Sequence, residues 1–272
     1  MNKFFFIWLL LPNLFLPQNV RIIYEYKFVT DTLKKDAISE ELVVLDIEKD
    51  KKSLFTGLKH IISDSTMTAR SEKGIMSFPD SSMKIKYVVE KDKDGIFFYT
   101  ANHMPNPVLK VKDERRINWR ILPDKQKIGG YSAQKATTNF GGREWVAWFT
   151  PEIPFQDGPY KFYGLPGLIL KVSDKTNSHS FEIVSVEKKK SNYDILNDIT
   201  YKEAREISFN EYEKISKESD LERFRKKAFT GDIIFKSNEE KQNFLKDLDA
   251  KIKESKIHDN NPIEFSTINL NK

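Results

Sequence analysis

The sequence predicts an α+β protein, a predominantly antiparallel β-sheet followed by C-terminal helices. Three observations carry that prediction. From Arg21 to about Lys189 apolar and polar residues alternate with period two between turn signals. The connections between these runs are short, which favours a meander over βαβ crossovers. After about Tyr201 the pattern changes, and three S-x-x-E helix starts follow one another from Ser208 to Glu240.

The chain opens with Met1-Asn2-Lys3, an apolar run Phe4 to Leu11, Pro12-Asn13 and Leu14-Phe15-Leu16. A basic start and a short apolar run predict a secretory signal peptide over residues 1–17, too short to span a bilayer, with the mature chain starting near Gln18. A buried helix would need a polar face, and Pro12 would break it. The 272-residue chain has no cysteine, so no lipid anchor can be attached through one, and a soluble periplasmic or secreted protein is expected. No later stretch is apolar enough to predict a membrane span in the mature chain. Residues 18–272 read as one domain, with sheet over 18–190 and helices over 201–257.

Arg21 to Val29, rich in β-branched and aromatic residues, is the first strand. Glu41 to Ile47 and Ser53 to Thr56 flank a charged hairpin turn. Lys84 to Glu90 and Ile96 to Ala101 flank another, in which Gly95 supplies a positive φ. Further strands are expected at Val108–Lys112, Asn118–Leu122, Tyr131–Asn139, Arg143–Thr150, Leu168–Ser173 and His179–Glu187. Ser208, Ser219 and Ser237 then cap helices, and Gly231 suits the position just past a helix end. On the last helix Phe244, Leu245, Leu248 and Ile252 share one face. An amphipathic pair standing alone would leave that stripe wet, so packing on the sheet is favoured over an appendage.

Composition removes chemistries more readily than it assigns them. Without cysteine there is no disulfide, thiolate nucleophile, Cys-ligated zinc or iron–sulfur cluster. His60, His103, His179 and His258 are scattered, and no metal motif, nucleophile elbow, P-loop or dinucleotide fingerprint occurs. Glu152 and Asp157 lie near the most unusual segment but do not form a recognisable acid–base pair. No catalytic residue, metal or cofactor is therefore assigned. The net charge of +5 is spread along the chain and forms no basic patch, so nucleic acid is not an expected partner.

One segment is not bland. In Arg143 to Thr150, Trp145, Ala147 and Phe149 point to one face of a strand, while Val146 and Trp148 point to the other. Both faces must be covered, or one lines a cavity. A loop with Pro151, Pro154 and Gly158-Pro159 leads to Tyr160-Lys161-Phe162-Tyr163 and then Gly164-Leu165-Pro166-Gly167-Leu168-Ile169. Pro166-Gly167 predicts a type II turn, and Gly164 to Leu170, which offers no acid, base or nucleophile, reads first as a structural motif, a buried turn that pins two strands; a ligand wall built from the surrounding aromatics is the functional alternative. The candidate ligand-binding residues are Arg143, Trp145, Trp148, Tyr160 and Phe162, with Arg143 or Lys161 at the rim to receive an anionic head group.

The hexapeptide Gly164 to Ile169 resembles the signature of the GLPGLI family. The similarity extends to Trp119 with Ile121, Lys127 to Tyr131, Lys135-Ala136, Gly142-Arg143, Trp145, Ala147 to Thr150, Glu152-Ile153-Pro154, Gly158-Pro159 and Asn261-Pro262-Ile263-Glu264. The resemblance implies an exported protein of Gram-negative bacteria and carries no activity, cofactor or catalytic residue with it. Ala133 stands where relatives often have cysteine, so a thiol role there cannot operate in this chain. By fold analogy with open half-barrels that carry lipids or lipoproteins through the periplasm, the expected function is non-catalytic binding of a hydrophobic or amphipathic, lipid-like ligand between sheet and helices. The alternative is an interaction module with an envelope protein partner in a transport or secretion complex; a hydrolase ranks third.

Overall fold

The computed structural model describes residues 19–49, 52–100, 107–190, 193–216, 218–231, 233–258 and 260–265; the expected leader at 1–17 lies outside them. The strands are β1 (Val20–Phe28), β2 (Ser39–Ile47), β3 (Ser53–Gly57), β4 (Val88–Asp92), β5 (Gly95–Tyr99), β6 (Leu109–Asp113), β7 (Arg120–Ile128), β8 (Tyr131–Phe140), β9 (Arg143–Thr150), β10 (Leu168–Asp174), β11 (His179–Lys188) and β12 (Arg205–Ser208). They form one open sheet of twelve strands in the order β12-β6-β5-β4-β3-β2-β1-β11-β10-β9-β8-β7. All pairings are antiparallel except β12 with β6. Two meanders, β2 to β6 and β7 to β11, are thus joined through β1.

Period-two patterning sets which face is buried. Along β1, Val20, Ile22, Tyr24, Tyr26 and Phe28 all enter the main core. The loop 151–167 packs on that same face. Its Tyr160 meets Phe55 of β3, Lys161 pairs with Asp113 of β6, and Phe162 packs edge-on to Phe140 of β8 and Trp145 of β9. Since β6 and β8 each stand second from an end of the sheet, the sheet curls around this loop without closing. At Leu170 the β9–β10 register slips by one. That bulge lets Leu168, Ile169 and Leu170 all be buried in succession.

The expected type II turn does not form. Gly167 N–H donates to Leu165 O at 2.8 Å, a tighter loop about Pro166, and Leu168 N–H is taken by Ile153 O at 3.1 Å. Closure of the whole loop onto Ile153 replaces the local bond that a type II turn would need.

The helices are α1 (Leu58–Ser71), α2 (Ile199–Lys202), α3 (Phe209–Ser216), α4 (Asp220–Thr230) and α5 (Asn238–His258). The three expected starts are present, with a complete capping box at Ser219 and Glu222, and Gly231 ends α4 in the left-handed region. Helices α4 and α5 pack on each other through Phe224 and Phe244, 5.8 Å apart, and through Lys256–Glu222 at 2.6 Å. Beyond α5 a strap of residues 260–265 returns to the sheet. Asn261 N–H donates to Thr30 O, Asn261 Nδ2 to Val29 O, and Phe265 N–H to Gly141 O.

Two buried histidines set an acid limit on this packing. Thr56 Oγ1 donates to Tyr87 O, so it must accept from His60 Nδ1, which leaves His60 Nε2 to accept from Tyr201 OH. Asn261 O can only accept, so His179 Nε2 carries the proton and Nδ1 accepts from Tyr26 OH at 2.7 Å. Burial holds both rings neutral down to about 4, with Lys86 adding to the effect at His60 and Arg143 at His179. The unfolded chain takes up these protons first, so stability falls as pH drops from about 6.5 towards 4, by about 3 kcal/mol per ring at the limit. Urea midpoints at pH 7 and 4.5 should differ accordingly. Imidazole NMR should show both rings unprotonated in the folded chain at pH 5.

Candidate functional site

The fold brings four parts of the chain around one cleft of about 440 Å³. Tyr87, just before β4, and Phe98 of β5 form its sheet wall. Tyr160 and Lys161 come from the curled loop, Phe209 and Tyr212 from α3, and Phe265 from the strap. The rings follow one another at close centroid distances: Tyr160 to Tyr87 at 5.8 Å, Tyr87 to Phe98 at 5.4 Å, Phe98 to Tyr212 at 5.8 Å and Tyr212 to Phe209 at 6.2 Å. Such tilted and edge-on contacts suit the ring quadrupoles.

The floor is ionic. Lys161 Nζ lies 2.9 Å from both Asp113 Oδ2 and Glu264 Oε1. Arg115 grips Asp113 through Nε at 2.8 Å and Nη2 at 2.6 Å, and Nη2 also reaches Glu264 at 2.5 Å. Two cations thus face two carboxylates. Burial alone would raise both acids, but Arg115 and Lys161 outweigh it: Asp113 is held at about 2, and Glu264 below the usual carboxylate range. The Arg115 guanidinium also lies 3.6 Å from the centre of the Phe209 ring and 4.7 Å from that of Phe140, two cation–π contacts.

Tyr160 has φ +53, in the left-handed region that side chains other than glycine's rarely adopt. Its contacts hold it there. The carbonyl accepts from buried Lys91, and the hydroxyl donates to Glu264 Oε1 at 2.5 Å. Burial and the charge of Glu264 push the phenol pKa far up, so the proton stays on oxygen. Beside it the Tyr87 hydroxyl is buried without a hydrogen-bond partner among the described residues.

The five residues predicted as a ligand wall are dispersed. Only Tyr160 lines the cleft. Trp145 and Phe162 are core residues that pack on each other at 4.7 Å, and the Trp145 indole donates to Phe140 O. Trp148 lies on the opposite face of β9, half-buried under Lys135. Arg143 is not at a rim: it is buried beneath the strap, bonded to Asp174 at 3.0 Å and to Asn261 Oδ1 at 2.5 Å. Lys161 does reach the cleft, but its charge is matched by two carboxylates. Glu152 accepts from Ser132 N–H and Asp157 pairs with Lys91, two separate structural roles.

The residues that sequence reasoning missed are Tyr87, Phe98, Asp113, Arg115, Phe209, Tyr212 and Phe265. Glu264 carried a signal, since it belongs to the Asn261-Pro262-Ile263-Glu264 stretch. Among the described residues no group of three or more His, Asp or Glu is placed to hold a metal ion, and no helix is long and apolar enough to cross a membrane.

Comparisons with known proteins locate part of this architecture. A family described as a protein of unknown function (Porph_ging) matches residues 141–171, from the β8–β9 turn through the curled loop into β10. No curated protein matches the chain. Two solved structures of PNGF-II, in space groups P21 and C2, are similar at 20% identity with a TM-score of 0.49, over 73% of this chain. The chain spans about a third of their length, 33% and 32%, and a likeness of this degree carries no functional argument.

Proposed function

We propose that the chain is an exported, GLPGLI-type protein of the periplasm or medium that binds a hydrophobic or amphipathic molecule without transforming it. The cleft between sheet, loop and α3 is the binding site. The observation that carries this reading is the aromatic chain around an ionic floor already satisfied by its own partners. Its volume suits a drug-sized ligand, and apolar walls with a few fixed polar groups are the usual form of a recognition site.

The electrostatics favour recognition over proton transfer. An effective general acid or base has a pKa near the working pH. Here Glu264 is held ionised and Tyr160 is held protonated, each pushed away from neutrality. The alternative of partner capture by strand addition finds blunt edges. β7 carries Pro123 and a register break between Ile121 and Lys125, and β12 has only four residues. Prolines, irregularities and short edge strands disfavour edge pairing.

Native mass spectrometry of the protein purified from its producing bacterium, followed by organic extraction, tests both halves of the proposal. The exported chain should have lost about residues 1–17 and should carry a small molecule. A chain that arrives empty and ignores added aromatic, fatty-acid and fatty-alcohol probes would sink the binding reading; one that retains the leader would sink export.

A further inference from the structure

We infer that the cleft selects an uncharged molecule bearing a flat ring, and discriminates against carboxylates. This rests on the binding reading above and specifies its ligand. The charge argument comes from the floor. Lys161 is the cation of the described cleft lining, and it and Arg115, which stands outside that lining, are each bonded to both Asp113 and Glu264. Since both carboxylates stay ionised, these four groups sum to no net charge, and the other acid of the described lining, Glu213, supplies no cation. An entering carboxylate would lose its water and meet no unmatched cation among the described lining residues, and a buried charge without a partner is strongly disfavoured. A head group that hydrogen-bonds but carries no charge avoids that cost.

The ring argument comes from the walls. Aromatic faces already occupied by the chain's own cations are poor cages for another: Lys161 Nζ lies 4.9 Å from the Phe98 ring centre and 5.5 Å from that of Phe209. The remaining faces and edges of Tyr87, Phe98, Tyr212 and Phe265 can take a further ring in offset or edge-on contact, a gain beyond area burial that a flexible acyl chain does not share. A flexible chain would also lose more conformational entropy on entry.

Calorimetric titration of the whole mature chain with naphthol, naphthoate, decanol and decanoate tests this, because the two alcohols have the same carbon count. Naphthol should bind at least about tenfold tighter than naphthoate and tighter than decanol, a ratio of ten corresponding to ~1.4 kcal/mol. Tyr212→Ala, on the partly exposed face of α3, should weaken naphthol at least about tenfold, while Trp148→Ala, on the far face of the sheet, should leave it unchanged. Glu264→Gln removes one of the two balancing charges and should shift preference towards naphthoate. Naphthoate binding as tightly as naphthol would overturn the charge argument, and decanol matching naphthol would overturn the ring argument; either leaves binding itself standing. Naphthol affinity indifferent to Tyr212→Ala would overturn the site, and no binding by any of the four would remove the binding reading.

Discussion

Gly167→Ala is expected to cost at least about 4 kcal/mol or to prevent folding, whereas Gly164→Ala in the same motif should cost only about 1 to 2. A Cβ at Gly167 would stand 2.5 Å from Thr150 C and closer still to Thr150 O. Those are backbone atoms at the end of β9, where Thr150 is paired with Leu168, so neither side can yield without unzipping the strands. The φ of +144 adds strain that only glycine escapes. At Gly164 the backbone is also left-handed, φ +89, but a Cβ meets nothing within 4 Å. Urea denaturation of the two variants, followed by tryptophan fluorescence, measures the difference. Equal losses would mean that close approach at the neck of the loop does not explain the second glycine.

This contrast shows why the motif is structural. The loop 151–167 leaves β9 and re-enters β10 at one point, and Gly167 is where the two ends touch. Everything the loop carries inward, including Phe162 and Tyr160, depends on that neck. The space in which the sequence suggested a ligand against Trp145 and Phe162 is filled by the protein's own loop. The cleft that remains lies one layer further out, between Tyr160 and α3.

How far the sequence discloses this arrangement depends on how local each signal is. Strands β8, β9 and β11 and the start of α4 are readable because alternation and the Ser219 box are written in contiguous residues. Helix α1 is not. Its N-cap, Gly57, offers no side chain, and its Ser65, Thr66 and Thr68 hydroxyls bond back to carbonyls of the preceding turn, a use that only an already formed helix provides. The four residues of β12 become a strand only by lying parallel to β6. Aromatic density at Trp145 and Phe162 announces burial without saying whether the covering partner is a ligand or another part of the chain. Arg143 reads as a rim residue because it stands beside the expected aromatic wall. Its cover comes from Asn261 and Pro262, far along the chain. The ionic floor is least readable of all: Asp113 and Arg115 sit among ordinary residues, and although Lys161 and Glu264 belong to distinctive segments, the four acquire meaning only when the curled loop and the strap meet.

Lys91→Met is expected to destabilise the protein by about 3 to 5 kcal/mol, with the double variant Lys91→Met/Asp157→Asn recovering more than half of that loss. Lys91 projects from β4 into the core, pairs with Asp157, and donates to the carbonyls of Gly158 at 2.7 Å and Tyr160 at 3.1 Å. Burial lowers its pKa despite the attraction of Asp157, so desolvation outweighs the ion pair. Removing the ammonium alone strands a largely buried carboxylate and three loop carbonyls, those of Gly158, Tyr160 and Phe162. Removing both charges relieves the larger part, while the amide oxygen that Asp157→Asn leaves in place can still accept from Gly158 N–H as the Asp157 carboxylate does now. Stability and ligand affinity should therefore separate. Urea midpoints should recover in the double variant, but naphthol affinity should stay low, because the clamp that holds Tyr160 in its left-handed conformation is absent from both. Recovery of affinity together with stability would show that the loop keeps its shape without Lys91. Retained affinity in the single variant would show the same, and the ammonium would then serve only to neutralise Asp157.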